Sequence, residues 1–76
     1  MQTSLSALLP GQSGTVTNVG GAAGIRHRLL EMGLTVGTAV QLVRTAPFGG
    51  PIELELRGYR LSMRRTEAEH ILVEGR

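Results

Sequence analysis

Residues 52–64 read Ile52-Glu53-Leu54-Glu55-Leu56-Arg57-Gly58-Tyr59-Arg60-Leu61-Ser62-Met63-Arg64. Ile52, Leu54 and Leu56 alternate with Glu53, Glu55 and Arg57. Beyond Gly58-Tyr59 the alternation resumes, with Leu61 and Met63 against Arg60, Ser62 and Arg64. A period of two gives each run one buried and one wet face, so both read as strands. Glycine at the first central position of a two-residue loop predicts a type II′ hairpin turned at Gly58-Tyr59. That register sets Leu56 opposite Leu61, Leu54 opposite Met63 and Glu53 opposite Arg64. Its one conflict is Arg57 opposite Arg60, a like-charge pair.

Working outward from the hairpin, the preceding stretch Thr45-Ala46-Pro47-Phe48-Gly49-Gly50 is a loop, and residues 38–44 are predicted as the strand feeding it. Residues 24–32 carry the best helix signal. Ile25, Leu29 and Met32 fall at i, i+4, i+7 and predict a core stripe, with Gly33 as a left-handed C-terminal cap and Leu34 as its apolar contact. Residues 13–19, with Val16 and Val19, read as another strand, ended by Gly20-Gly21. Leu5, Leu8 and Leu9 predict one or two helical turns, stopped by Pro10-Gly11. After the hairpin, Thr66-Glu67-Ala68-Glu69 has the spacing of a capping box opening a single helical turn. Ile71, Leu72 and Val73 then close the fold as a short strand. About five strands, an inserted helix after the first and a one-turn helix before the last predict a mostly β, partly open small barrel.

At 76 residues the chain predicts one domain over 1–76, with one modest core. There is no Cys, hence no disulfide framework and no thiolate metal site, and no apolar run approaches the roughly 20 residues of a membrane span. The first ten residues lack the basic start and long apolar stretch of a signal peptide, and a cytoplasmic location is expected. No enzyme is expected: without Cys or Asp, and with two His, the usual triads and dyads cannot be assembled. Gly20-Gly21-Ala22-Ala23-Gly24 misses both phosphate-loop spacings and reads as a turn. The net charge is +2, and Phe48 and Tyr59 are the aromatic residues, too few and too weakly basic for nucleic acid.

His27 and Glu31 stand at i, i+4 and share one helix face. They read as a solvated pair. The alternative is a weak, adventitious or dimer-bridging site for Zn(II) or Fe(II), completed by His70 or a second molecule. No cofactor is required. Arg57, Arg60, Arg64 and Arg65 supply half of the eight basic residues within nine positions. Beside Tyr59 they predict either a neutralised cluster or a patch for an acidic protein partner. Phe48 is expected either to cover the barrel mouth or to stand out as an interface anchor.

The runs Arg28-Leu29-Leu30-Glu31-Met32-Gly33-Leu34-Thr35-Val36-Gly37-Thr38 and Ala46-Pro47-Phe48-Gly49-Gly50-Pro51-Ile52 resemble the FeoA family of ferrous iron transport proteins. Leu5-Ser6-Ala7-Leu8-Leu9-Pro10-Gly11 and Gly58-Tyr59-Arg60-Leu61-Ser62-Met63-Arg64 also match its pattern, while Val36 stands where the family commonly has Pro. The resemblance implies an SH3-like barrel in the cytosol that partners FeoB, a membrane Fe(II) permease with a cytosolic nucleotide-binding domain. On that footing the expected role is an accessory regulator of Fe(II) uptake, at the membrane only through its partner. Arg26, Arg28, Phe48, Arg57, Tyr59 and Arg60 are the candidate contacts, and a homodimer, metal-bridged or not, is a further expectation.

Overall fold

The computed structural model describes residues 2–75. In chain order the elements are strand β1 (Gln2–Ser4), a 3-10 turn (Leu5–Ala7), β2 (Ser13–Val19), helix α1 (Ala23–Glu31), β3 (Ala39–Thr45), β4 (Ile52–Leu56), β5 (Tyr59–Met63), the one-turn helix α2 (Arg65–Ala68) and β6 (Ile71–Gly75). The strands form one antiparallel sheet in the order β1-β6-β2-β3-β4-β5. Two register shifts, leaving Thr17 and Val43 unpaired, lie in the β2–β6 and β3–β4 ladders. Bulges of this kind bend a strand and increase its twist, which lets a short sheet curl around one core.

The alternation of residues 52–63 places its apolar set as expected. Ile52, Leu54, Leu56 and Met63 are buried and Leu61 packs partly buried against them. They join Leu5, Leu8, Val16, Val19, Leu29, Leu34, Val40, Leu42, Ala68, Ile71 and Val73 in a single core. Each fully buried Leu contributes about 1.5–3 kcal/mol of transfer free energy, which makes this cluster the main source of stability.

The hairpin turn falls one residue earlier than predicted. Leu56 pairs with Tyr59, Leu54 with Leu61 and Ile52 with Met63, so the loop is Arg57-Gly58. Both loop residues have positive φ, 50° and 83°, as a type I′ turn requires. Moving the turn by one residue slides the partner strand by two, which leaves every inward face inward. It also removes the Arg57–Arg60 conflict, because Arg60 now lies opposite Glu55. Electrostatics therefore separates two registers that hydrophobic patterning treats as equal.

Six strands are present where about five were expected. The additional one, β1, pairs with β6, so the predicted N-terminal helix shrinks to the 3-10 turn. Leu5 and Leu8 are buried there, while Leu9 is 64% exposed. Helix α1 buries apolar side chains at its C-terminal end only: Leu29 is buried, Met32 partly so, and Ile25 is 40% exposed and outside the core. Its C-terminus is a full Schellman motif. Gly33 N–H donates to Leu30 O at 3.0 Å and Leu34 N–H to Leu29 O at 3.2 Å, with Gly33 at φ 98° and Leu34 buried. The capping box also moves, by two residues: Glu67 Oε1 accepts from Arg64 N–H at 3.0 Å, and Thr66 lies inside α2. Among the described residues no helix is long and apolar enough to cross a membrane.

Candidate functional site

Two exposed regions collect the predicted contact residues: the flank formed by α1 and the β4–β5 tip, and the tip of the β3–β4 hairpin. On the first, most polar side chains are engaged within the fold. Arg26 Nε donates to Val19 O at 3.1 Å, holding the start of α1 to the end of β2. Arg28 Nη1 lies 3.0 Å from Glu67 Oε2. Glu67 is only 11% exposed and also caps α2, so one carboxylate joins the two helices. Tyr59 Oη donates to Met32 O at 2.6 Å, satisfying a carbonyl at the helix end that the helix cannot satisfy itself. Arg57 reaches back from the tip, its Nη2 at 3.0 Å from both Thr35 Oγ1 and Thr38 Oγ1. Arg60 lies over the wet face, with Nε 3.5 Å from Glu55 Oε1 and Nη1 3.6 Å from Glu53 Oε2.

The arginine cluster of the sequence is therefore dispersed in space. Arg57 bonds to threonine hydroxyls and Arg60 to glutamates. Arg65 sends Nη1 to Ser6 O at 3.4 Å, while its buried Nε has no partner among the described residues. No local pattern signals that Thr35 and Thr38 receive Arg57, because the pairing spans 22 and 19 residues. The joint at Glu67 was equally invisible, although its place in the Thr66–Glu69 pattern marked the segment as a helix start.

His27 and Glu31 do meet, with Nδ1 3.6 Å from Oε1 and both side chains well exposed. His70 sits elsewhere: its ring packs beside Gly21, where an added Cβ would come within 3.3 Å of His70 Cγ. Among the described residues no group of three or more His or Glu side chains could hold a metal ion. His27 and Glu31 thus offer two donors, and further ligands would have to come from outside these residues.

The second region differs. Phe48 is fully exposed and belongs to no part of the core. It shares a tight turn with Gly49, at φ 59° and 72°, closed by Gly50 N–H to Pro47 O at 3.2 Å and Ala46 N–H to Pro51 O at 3.0 Å. Of the two expectations for Phe48, the covering role is not the one adopted. Shallow grooves flank the tip. One, of about 340 Å³, includes Arg44, Pro47, Pro51 and Glu53 in its lining. The other, of about 260 Å³, is lined by Gly49, Gly50, Pro51, Arg64, Arg65 and Thr66.

Comparison with known proteins places this architecture. The Fe(2+) transport protein A/Fe(2+) transporter FeoB fusion protein of Porphyromonas gingivalis is 36% identical over 70 residues, which are 92% of this chain and 8% of that protein. The chain therefore spans a small fraction of the curated relative it matches. The crystal structure of an iron uptake regulatory protein, FeoA, has a TM-score of 0.92 at 33% identity and covers 100% of both chains. FeoA of Stenotrophomonas maltophilia, solved in complex with zinc and described as an SH3 domain protein, has a TM-score of 0.83 at 30% identity over 95% of this chain and 89% of that one. The six-stranded sheet is thus an SH3-like fold. A family model, the FeoA domain, matches residues 3–75, and the chain belongs to the FeoA family.

Proposed function

We propose that this protein is an accessory module of Fe(II) uptake that docks on the cytosolic part of an FeoB-type permease and biases its working cycle. The observation that carries the reading is the fused relative, in which a segment 36% identical to this chain shares one polypeptide with an Fe(2+) transporter. Covalent linkage raises the effective concentration of one module at the other, an arrangement that serves parts acting together. The reading assigns the chain no catalytic step. Its effect arises from tighter binding to one conformation of the partner than to another, and that difference in affinity sets the size of the bias. The test is co-purification. The tagged full-length chain, expressed in its own organism, is expected to retain intact permease from detergent-solubilised membranes. Repeated failure to retain it, with the chain folded, overturns the docking reading.

A second reading has one specific support: the His27–Glu31 pair, 3.6 Å apart and exposed. Two such donors from each of two copies would complete a tetrahedral Zn(II) or Fe(II) shell and bridge a dimer. Light scattering with and without Zn(II) tests it. A metal-dependent doubling of mass that His27→Ala abolishes supports the bridge, and an unchanged mass removes it.

A further inference from the structure

We propose that the β3–β4 tip, with Phe48 as an aromatic anchor and the Arg64–Arg65 groove beside it, is a docking surface for an apolar protein socket rimmed by carboxylates. The inference rests on the docking reading above and names the face and the partner chemistry.

Three observations converge on the tip. The chain has one Phe, and instead of enlarging a small core it stands fully in solvent. Its backbone is held at φ 59°, a conformation that L-residues with a bulky side chain rarely adopt. Exposure and backbone geometry thus both disfavour Phe at this position in the free chain, and neither is offset by any packing contact with the core. The turn that carries it is closed by two backbone hydrogen bonds and flanked by Pro47 and Pro51. A ring presented on so restricted a loop loses little freedom on binding, which is the condition under which a single aromatic residue anchors an interface.

Charge supplies the partner's chemistry. Arg28, Arg44 and Arg60 are each paired with a glutamate. In the groove bounded by Gly49, Gly50 and Pro51, by contrast, neither Arg64 nor Arg65 is paired with a carboxylate among the described residues. Arg64, exposed and without a counter-charge among the described residues, therefore borders the apolar tip beside the inward-turned Arg65, and a complementary surface places acidic side chains around the pocket that takes the ring. A lipid surface fits less well. Stable attachment to anionic bilayers takes clusters of roughly four to eight basic residues or more than one apolar anchor, against two arginines and one Phe here.

The test measures binding of the full-length chain to the FeoB-type permease of its own organism, reconstituted in nanodiscs, with empty nanodiscs of the same lipids as the second arm. Phe48→Ala and Arg64→Glu are each expected to weaken binding by roughly 30-fold or more, the range of interface hot spots. Arg64→Glu should also flatten the salt dependence, while Leu9→Ala, another exposed apolar residue, should change affinity by less than about threefold. Both tip side chains are exposed, so the variants keep the fold, which circular dichroism checks. Wild-type binding that survives both tip substitutions overturns the anchor and leaves docking standing. Equal binding to empty nanodiscs, lost in Phe48→Ala, assigns the tip to lipid and overturns the protein socket. Absence of any wild-type binding overturns docking and anchor together.

Discussion

At one end of β4 the chain turns through Phe48 and Gly49, and at the other through Arg57 and Gly58, and in both turns the central residues hold positive φ. Left-handed backbone costs an ordinary L-residue roughly 1–2 kcal/mol, so each tip begins with a similar penalty. At Arg57 the fold offsets it, since the guanidinium donates to the hydroxyls of Thr35 and Thr38 and ties the turn to the segment after α1. At Phe48 no core contact does so. One tip is wired inward and the other faces out. The contrast is informative because the backbones are alike. The same conformation serves the fold at Arg57, and at Phe48 it presents a ring to whatever lies outside.

The largest expected effect comes from breaking the inward wiring at its densest point. Gly33 lies at φ 98°, and a Cβ there would come within 2.7 Å of Tyr59 Oη, the group that donates to Met32 O. Gly33→Ala combines left-handed strain with loss of that hydrogen bond, about 2–3 kcal/mol in all. For a domain of this size that corresponds to a fall in Tm of roughly 10–20 °C, read by thermal denaturation. A change below a few degrees would mean that Tyr59 is not holding the end of the helix. Next in size is Arg57→Asn. Asparagine suits a type I′ turn, but the substitution removes two charge-assisted hydrogen bonds. A net loss of about 1 kcal/mol is expected in chemical denaturation.

Legibility in the sequence follows the range of the interactions involved. The alternation of Ile52, Leu54 and Leu56 with charged residues fixed the strand and its inward face, because period two is a local property. The turn position was not fixed by it, since sliding one strand by two residues preserves every face. The register was decided by Glu55 meeting Arg60 and by Arg57 reaching Thr35 and Thr38. Strand β1 was missed because three residues, Gln2–Ser4, carry no apolar alternation and are ordered by β6 at the far end of the chain. The spacing of Ile25, Leu29 and Met32 is helical, and α1 with its C-cap at Met32 forms there. Periodicity cannot say how much of a helix touches the sheet, however, and Ile25 stays outside the core. The same limit governs the surface. Arginines look alike in sequence, and only the fold separates Arg28, Arg44 and Arg60, which have glutamate partners, from Arg64 and Arg65, which have none among the described residues.

The smaller effects sharpen the comparison by reversing its sign. Phe48→Asn places a residue that tolerates left-handed backbone at a tip where no packing is lost, so stability should rise by about 0.5–1 kcal/mol. One substitution at two equivalent turns would then stabilise one and destabilise the other, and a loss at both would refute the outward assignment of Phe48. The double variant Phe48→Asn/Arg57→Asn carries the smallest expected signal and the strictest logic. The tips are separated by the five residues of β4, roughly 17 Å of strand, and share no side-chain partner. Sites that far apart are additive to within about 0.5 kcal/mol in a double-mutant cycle. A coupling above about 1 kcal/mol would show that strain at one tip is transmitted through β4 to the other, and loss of binding at Phe48 could then arise from a disturbed helix flank. Additivity, by contrast, makes the outer tip a separable unit. A Phe48 variant that folds more stably yet binds more weakly then locates the deficit at the ring itself.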